Sequence, residues 1–182
     1  MDSVIIAGID YSMSCPSLCI FDTNKKFRFQ NCDFYYLIDK KTKIIEEGNI
    51  HGEYYKKDSE DVKRFDHLSN WAITILKNKK VNHVYLEGYS MGSRGRVFHI
   101  AENTGVLKHK IYKAEITFEV VPPSTWKKEV VGKGNADKQY VYESLGIDLK
   151  TIFNSKSITS PINDIADSYF ICEYGLLTYL SK

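Results

Sequence analysis

Long apolar runs are absent from the sequence, and their absence excludes several classes of protein. The longest uninterrupted apolar stretch near the start, Val4 to Ala7, is too short for a membrane span or a signal-peptide core. Four cysteines in 182 residues are too few and too scattered for a secreted disulfide framework. We therefore expect a protein of the reducing cytoplasm, or of the host cytoplasm if it is viral, with no membrane partner.

A zinc site is not expected either. Cys15 and Cys19 form a C-x₃-C pair, but structural zinc needs four ligands, and no histidine has the spacing that zinc fingers require. A strong net charge is also missing, since the formal charge is only +2. Attraction to nucleic acid would therefore depend on local basic clusters, which occur at 77–80, 94–96, 108–113, 127–128 and 133–138.

The composition is that of a globular protein, with 43% apolar and 26% charged residues. A chain of 182 residues can bury a full core, and it contains no repeat or linker. We therefore expect one α/β domain over residues 1–182. Apolar, β-branched segments predict a sheet of five strands, of which the first three form an antiparallel meander. These strands are Val4–Asp10, Ser17–Phe21, Phe27–Ile38, Val81–Glu87 and Phe118–Val121.

Helical spacing of apolar residues predicts the elements that flank this sheet. The predicted helices are Ser59–Lys77 with Ser59 as its N-cap, Val97–Tyr112, a brief helix from Ser124, one reaching Leu145 with Asn135 as its N-cap, and a last helix opened by Ser160 and Pro161. Residues 39–58 lack a steady period, so we predict a long loop or irregular hairpin there, and a second loop over 148–159.

Four acids stand out by their positions. Asp10 and Glu87 each end a predicted strand, and Asp164 and Asp167 are three residues apart on one face of the last helix. Each acid taken alone is better explained as a helix-cap acid, a turn residue or a surface charge. Brought together, four carboxylates would repel one another unless a divalent cation neutralised them, and Mg²⁺ or Mn²⁺ suits an all-oxygen site. Two such ions can support in-line hydrolysis of a phosphodiester.

Four motifs resemble the RuvC-type Holliday junction resolvases, and particularly their phage relatives. They are Gly8-Ile-Asp10-Tyr-Ser, Leu86-Glu87-Gly-Tyr-Ser, the turn from Gly132 to Lys138, and Asn163-Asp-Ile-Ala-Asp167-Ser. The resemblance implies a ribonuclease-H-like mixed five-stranded sheet flanked by helices, and a homodimer that makes paired, symmetric nicks in four-way DNA junctions. It also implies that the four acids are catalytic metal ligands.

Five further residues are candidates for binding DNA. Arg94 and Arg96 lie in a Gly-broken loop beside Glu87, where their guanidinium groups could contact phosphates. Lys133 and Lys138 belong to a Gly-rich turn before a helix, which could hold a phosphate or simply form a helix cap. The resemblance makes Lys138 a candidate contact to the backbone or scissile phosphate. It also makes Tyr89 the nearest candidate for the aromatic residue that engages the junction centre in bacterial members.

Other assignments remain open from the residues alone. The same carboxylates would serve a ribonuclease-H-like nuclease acting on flaps, forks or RNA–DNA hybrids, and a catalytically silent junction-binding protein could keep the fold. A nucleotide binder of the actin-like or sugar-kinase-like type would need a second domain. Tyr54 and Tyr55 could stack on unpaired bases or pack in the core. His99, His109 and Trp126 receive no functional role, and Trp126 is expected to pack in the core.

Overall fold

A mixed β-sheet lies at the centre of the computed structural model, which describes residues 3–89, 97–147, 149–153 and 157–182. The strands in this part of the chain are β1 (Ile5–Asp10), β2 (Ser17–Asp22), β3 (Cys32–Ile38), β4 (Glu46–Glu47), β5 (Ile50–Tyr54), β6 (His83–Glu87) and β7 (Thr117–Val121). Their order across the sheet is β4-β5-β3-β2-β1-β6-β7. β1 pairs antiparallel to β2 and parallel to β6, so it occupies a central position between the two halves.

The predicted fold class is confirmed, whereas the predicted number of strands is too low. All five predicted strands are present as β1, β2, β3, β6 and β7, although β3 begins at Cys32 because Phe29–Asn31 forms a 3₁₀ turn. The two additional strands, β4 and β5, lie in the segment 39–58, which therefore forms a hairpin joined to the sheet rather than a long loop.

β5 was not predicted, because its formation depends on pairing with β3. β4 has only two residues, both exposed glutamates, and β5 buries only Ile50 and Gly52. A Cβ at Gly52 would overlap the Tyr36 side chain, so glycine is required for β5 to lie beside β3. These strands depend on a neighbour distant in sequence, and such an interaction leaves almost no local period.

Helices cover both faces of the sheet. They are α1 (Asp61–Asn78), α2 (Val97–Lys113), α3 (Pro123–Trp126), α4 (Lys138–Ser144), α5 (Leu149–Phe153) and α6 (Ile162–Leu180), with a π-helical turn over Lys127–Val131. None of the helices in the described part of the chain is long and apolar enough to cross a membrane.

Several predicted helix ends are wrong by one or two residues. The N-cap of α1 is Glu60 rather than Ser59, and Pro161 rather than Ser160 occupies the cap position of α6. α4 starts at Lys138 because the side chain of Asp137, not that of Asn135, accepts from the backbone N–H of Tyr140. The predicted loop over 148–159 contains α5, which is too short to show a helical period.

Alternating residues of the central strands face two separate cores. Ile6 of β1 and Tyr85 of β6 pack with α6, Trp126 and α4 on one face of the sheet, which we call the α6 face. Ala7, Ile9, Val84 and Leu86 pack with α1 and α2 on the other, the α1 face. The same alternation directs the last residues of both strands, Asp10 and Glu87, to the α6 face.

Candidate metal and nucleic-acid site

The strand register brings Asp10 and Glu87 to the same end of the sheet. β1 and β6 run parallel, and Ile9 lies opposite Leu86. The next residue of each strand is an acid, so the two carboxyl groups project side by side where neighbouring strands end. The apolar residues before each acid are buried, and this burial fixes the position at which the chain leaves the sheet.

The close approach of α6 to β1 adds the other two acids. Gly8 permits this approach, because a Cβ there would overlap the backbone of Ser168 and Cys172. The hydroxyls of Ser17 and Ser168 share a buried hydrogen bond of 3.1 Å, and Ser17 pairs with Asp10 across the β1–β2 ladder. These contacts hold the N-terminal turns of α6, which carry Asp164 and Asp167, next to the end of β1.

All four acids line one cleft of about 780 Å³. Asp10 is 9% exposed and Asp164 is 4% exposed, whereas Glu87 and Asp167 are partly exposed toward the cleft. The structure therefore brings together the four acids that the sequence singled out.

Burial is the largest cause of the unusual ionisation of these carboxyl groups. It raises the pKa of Asp10 well above the ordinary value, and the charges of Glu87, Asp164 and Asp167 raise it further. Burial likewise raises the pKa values of Glu87 and Asp164, and it raises that of Asp167 to about 8 with the help of the Glu87 carboxylate. Four anions here repel one another, so the cluster favours a bound proton or cation.

Three cationic or hydrogen-bonding side chains oppose this repulsion. The charges of Lys127 and Lys138 lower the pKa values of Glu87 and Asp167, although less than burial raises them. The indole N–H of Trp126 donates to Glu87 Oε1 at 3.0 Å and favours the ionised form of that carboxyl group. Trp126 is fully buried, so Glu87 is held by a rigid donor.

The side chains fit a divalent cation by their chemistry. All four acids offer oxygen donors, the ligands that Mg²⁺ and Mn²⁺ prefer. Asp164 Oδ2 is buried and has no hydrogen-bond partner among the described residues, so it is an acceptor available to a cation. Nevertheless, in the described part of the chain no three His, Cys, Asp or Glu side chains are grouped tightly enough to hold an ion. Binding would therefore require the carboxylates to draw closer together.

The predicted DNA-binding residues separate into three groups. Lys138 and Tyr89 line the cleft, and Tyr89 is 41% exposed. Lys133 lies instead over the ring of Tyr140, with its Nζ 5.2 Å from the ring centroid, and does not line the cleft. Arg94 and Arg96 lie outside the described residues.

The structure also draws attention to residues that sequence reasoning missed. Lys127 lines the cleft, and its Nζ donates to the carbonyl of Ala136 at 3.0 Å. The sequence indicates Lys127 only as part of the basic cluster 127–128, because only the fold brings this segment beside Glu87. Arg64 and His99 line the cleft from α1 and α2. Tyr55 is buried, so packing explains it, whereas Tyr54 is exposed and lies under Lys41.

Comparison with known proteins gives a family match over most of the chain. Residues 38–172 match the family model described as crossover junction endodeoxyribonuclease RuvC. A crossover junction endodeoxyribonuclease RuvC from Prochlorococcus marinus (strain NATL1A) is 27% identical over 141 residues, which cover 76% of this chain and 85% of that protein.

Solved structures show the same fold at lower identity. Thermus thermophilus RuvC in complex with a Holliday junction substrate superposes with a TM-score of 0.65 at 15% identity, covering 98% of this chain and 96% of that one. The Fowlpox virus resolvase in complex with Holliday junction DNA gives a TM-score of 0.53 at 15% identity, covering 97% of this chain and 99% of that one.

Proposed function

This chain belongs to the RuvC family of crossover junction endodeoxyribonucleases, and on that premise we propose that it resolves four-way DNA junctions by paired, symmetric nicks. Residues 1–182 would act as one nuclease domain, and two copies would form a homodimer with one active site each. The observation that carries the proposal is the cluster of four acids, from two strand ends and one helix, in a single cleft lined by lysines. Both solved relatives described above are complexes with junction DNA.

Metal dependence is expected for this family, and the donor set supports it. We propose that Asp10, Glu87, Asp164 and Asp167 hold two Mg²⁺ ions, with Mn²⁺ as a substitute. Cations held there supply Lewis-acid chemistry at the scissile phosphate. The raised pKa values support this assignment, because a cation relieves the repulsion that otherwise favours protonated carboxyl groups.

The residues of the chain have separate tasks in the hydrolysis. A water oxygen forms one new P–O bond while the existing P–O bond on the opposite side breaks, and carboxylates of the cluster orient that water and accept its proton. Lys127 and Lys138 offset the negative charge of the phosphate that enters the cleft. Trp126 holds Glu87 in one orientation through the indole N–H. Tyr89, exposed at the rim, would contact bases at the junction centre.

Cleavage of a labelled immobile four-way junction and of a matched linear duplex in Mg²⁺ tests this proposal. Wild type should nick the junction at paired positions and leave the duplex intact, and Asp10→Asn and Asp164→Asn should abolish both nicks. Equal cutting of the duplex would indicate a general nuclease. Binding without cutting by wild type, in Mg²⁺ and in Mn²⁺, would indicate a junction-binding protein.

The homodimer has its own test. Sedimentation analysis should give the mass of two chains without junction, and that of two chains plus one junction when the DNA is bound. Mixing wild type with Asp10→Asn should produce junctions nicked on one strand only, because each active site cuts one strand. A monomeric complex that still makes paired nicks would contradict the dimer.

A further inference from the structure

A buried positive charge lines the cleft on the α1 face, and the proposed chemistry does not use it. Arg64 belongs to the first turn of α1, lines the cleft and is only 8% exposed. An arginine guanidinium does not lose its proton in proteins, so this position always carries a charge. Burying a charge is costly unless a partner compensates for it.

The acids close to Arg64 in sequence do not supply that partner, and the nearest of them, Asp66, pairs with Lys110 at 2.7 Å. Glu60 pairs with Lys63 at 2.7 Å, and Asp61, which also lines the cleft, lies 3.1 Å from the ring nitrogen Nδ1 of His99. Within the described residues, no carboxylate forms an ion pair with Arg64. The guanidinium is therefore a buried cation whose neighbouring anions are engaged elsewhere.

Hydrogen bonds to the loop after Asp10 and to the Tyr55 side chain hold Arg64 in place. Its Nη2 donates to the carbonyl of Met13, in the loop after Asp10, and the Tyr55 hydroxyl donates to the same carbonyl at 3.0 Å. The Nε–H is buried and has no hydrogen-bond partner among the described residues. An unsatisfied buried donor costs about 1–3 kcal/mol, and a small shift of the guanidinium toward an acceptor in the cleft would remove that cost.

We propose that Arg64, together with Lys57, forms a phosphate subsite on the α1 wall of the cleft. Lys57 is exposed, precedes α1 in the chain and lines the same cleft. The ligand is a backbone phosphate of the DNA that flanks the scissile phosphate, an assignment that rests on the proposed function. Arg64 is well suited to it, because a fixed guanidinium binds phosphate in a defined orientation. Lys127 and Lys138 approach the cleft from the α6 face, so the two pairs would hold the strand on both sides of the acids.

Salt dependence of junction binding provides the first test. Binding is measured in Ca²⁺ over a range of NaCl concentrations for wild type, Arg64→Gln and Lys57→Gln. Each variant should weaken binding and reduce the slope of log Kd against log salt by about 0.9, the contribution of one phosphate contact to duplex DNA. Lys63→Gln is the matched control, because Lys63 precedes Arg64 on the same helix but is 62% exposed and does not line the cleft. Its slope should equal that of wild type.

A second measurement separates a phosphate contact from a structural role of Arg64 in holding the Met13 loop. Single phosphates around the cut are replaced, one at a time, by uncharged methylphosphonates. At one flanking position the replacement should weaken wild-type binding as much as Arg64→Gln does, and the two changes combined should cost no more than either alone. Losses that add at every position would assign Arg64 a structural role and overturn the subsite.

The outcomes distinguish this inference from the proposed function. If wild type binds and cuts junctions while Arg64→Gln and Lys57→Gln keep the wild-type slope, the subsite is wrong and the nuclease assignment stands. If wild type neither binds nor cuts junctions, both fall together. Should Arg64→Gln fail to fold, the exposed Lys57→Gln and the methylphosphonate series on wild type still decide the question.

Discussion

The floor of the cleft and its walls are built in opposite ways. The floor consists of four buried or partly buried acids fixed by two strand ends and by α6. Burial raises the pKa of each, and the other three acids raise that of Asp10 further. The walls carry cations, of which Lys138 is exposed on a helix start and Arg64 is buried against a loop. The mutual repulsion of the acids destabilises the folded protein, whereas an approaching phosphate would stabilise the cations of the walls. We infer that chemistry depends on the floor and DNA affinity on the walls.

Asp10→Asn should have the largest effect, because it removes an acid of the floor and leaves the walls unchanged. Asp10 adjoins the other three acids, so we expect cleavage to fall by roughly 1,000-fold or more, equivalent to about 4 kcal/mol of transition-state stabilisation. Junction binding in Ca²⁺ should change little, because the walls remain. Single-turnover cleavage and a binding titration of the same preparation measure the two effects.

The same variant should be more stable than wild type without divalent cations. Asn at position 10 removes one of four repelling charges, so thermal unfolding in EDTA should occur at a higher temperature. Asp22→Asn is a control, since the partly exposed Asp22 accepts from Ser3 and lies away from the cleft. A cleavage rate near that of wild type for Asp10→Asn would show that the floor is not the site of the chemistry.

The pH dependence of metal binding should be the next largest effect. The pKa of Asp167 is about 8 in the folded, metal-free protein and near 3.8 ordinarily. A proton must therefore leave before a cation can bind at neutral pH. Mn²⁺ affinity should rise by up to about tenfold per pH unit between pH 6 and 8 for each proton displaced. Calorimetry in buffers of different ionisation enthalpy should detect the released protons.

The stability of the metal-free protein should fall as pH rises, whereas its affinity for Mn²⁺ should increase. Because the folded form retains a proton that the unfolded form loses near pH 3.8, this group makes the protein less stable as pH rises from there through about 8. Asp167→Asn should remove that part of the pH dependence of unfolding. An affinity for Mn²⁺ that does not vary over this range would contradict the raised pKa.

Trp126→Phe should affect the floor alone, because it removes a hydrogen bond that orients one of the four acids and leaves the walls unchanged. The variant loses the donor to Glu87 Oε1 while keeping an aromatic ring. We expect cleavage to fall by about 10-fold, as is typical when a group that orients a metal ligand is removed, and junction binding to be retained. Trp71→Phe is the matched control, because the Trp71 indole donates to Glu53, away from the cleft. Equal losses in both variants would indicate a general effect on packing.

The floor could be predicted from sequence because it is encoded locally. A buried strand that ends in an acid is visible in VIIAGID and again in VNHVYLE, and a helical D-x-x-D places Asp164 and Asp167 on one face. Where two such strands are parallel neighbours, their last residues lie side by side, so no further sequence signal is needed to place the two acids together. The two edge strands could not be predicted in this way, because β5 is specified by the fit of Gly52 against Tyr36 in β3.

The walls were harder to predict because their residues meet only in three dimensions. In the sequence Arg64 is one charged residue of an amphipathic helix, and no neighbouring residue indicates that it is buried or that it contacts Met13. Trp126 reads as a core residue, which it is, yet its N–H also reaches Glu87. A cluster such as Gly132–Lys138 identifies a basic turn but not which of its lysines faces the cleft.

Substitutions of Lys138 and Lys133 test which lysine of the basic turn faces the cleft, and we expect their effects to be the smallest. Lys138 lines the cleft and lowers the pKa values of all four acids, whereas Lys133 lies over Tyr140. Lys138→Gln should weaken junction binding by a few-fold and reduce the salt slope by about 0.9. It should also raise the carboxyl pKa values, so the pH at which cleavage reaches half its maximum should move upward. Lys133→Gln loses the same charge from the same turn and should leave the pH profile unchanged. If the two variants behave alike, the basic turn acts only through its total charge, and the contrast between floor and walls does not extend to individual lysines.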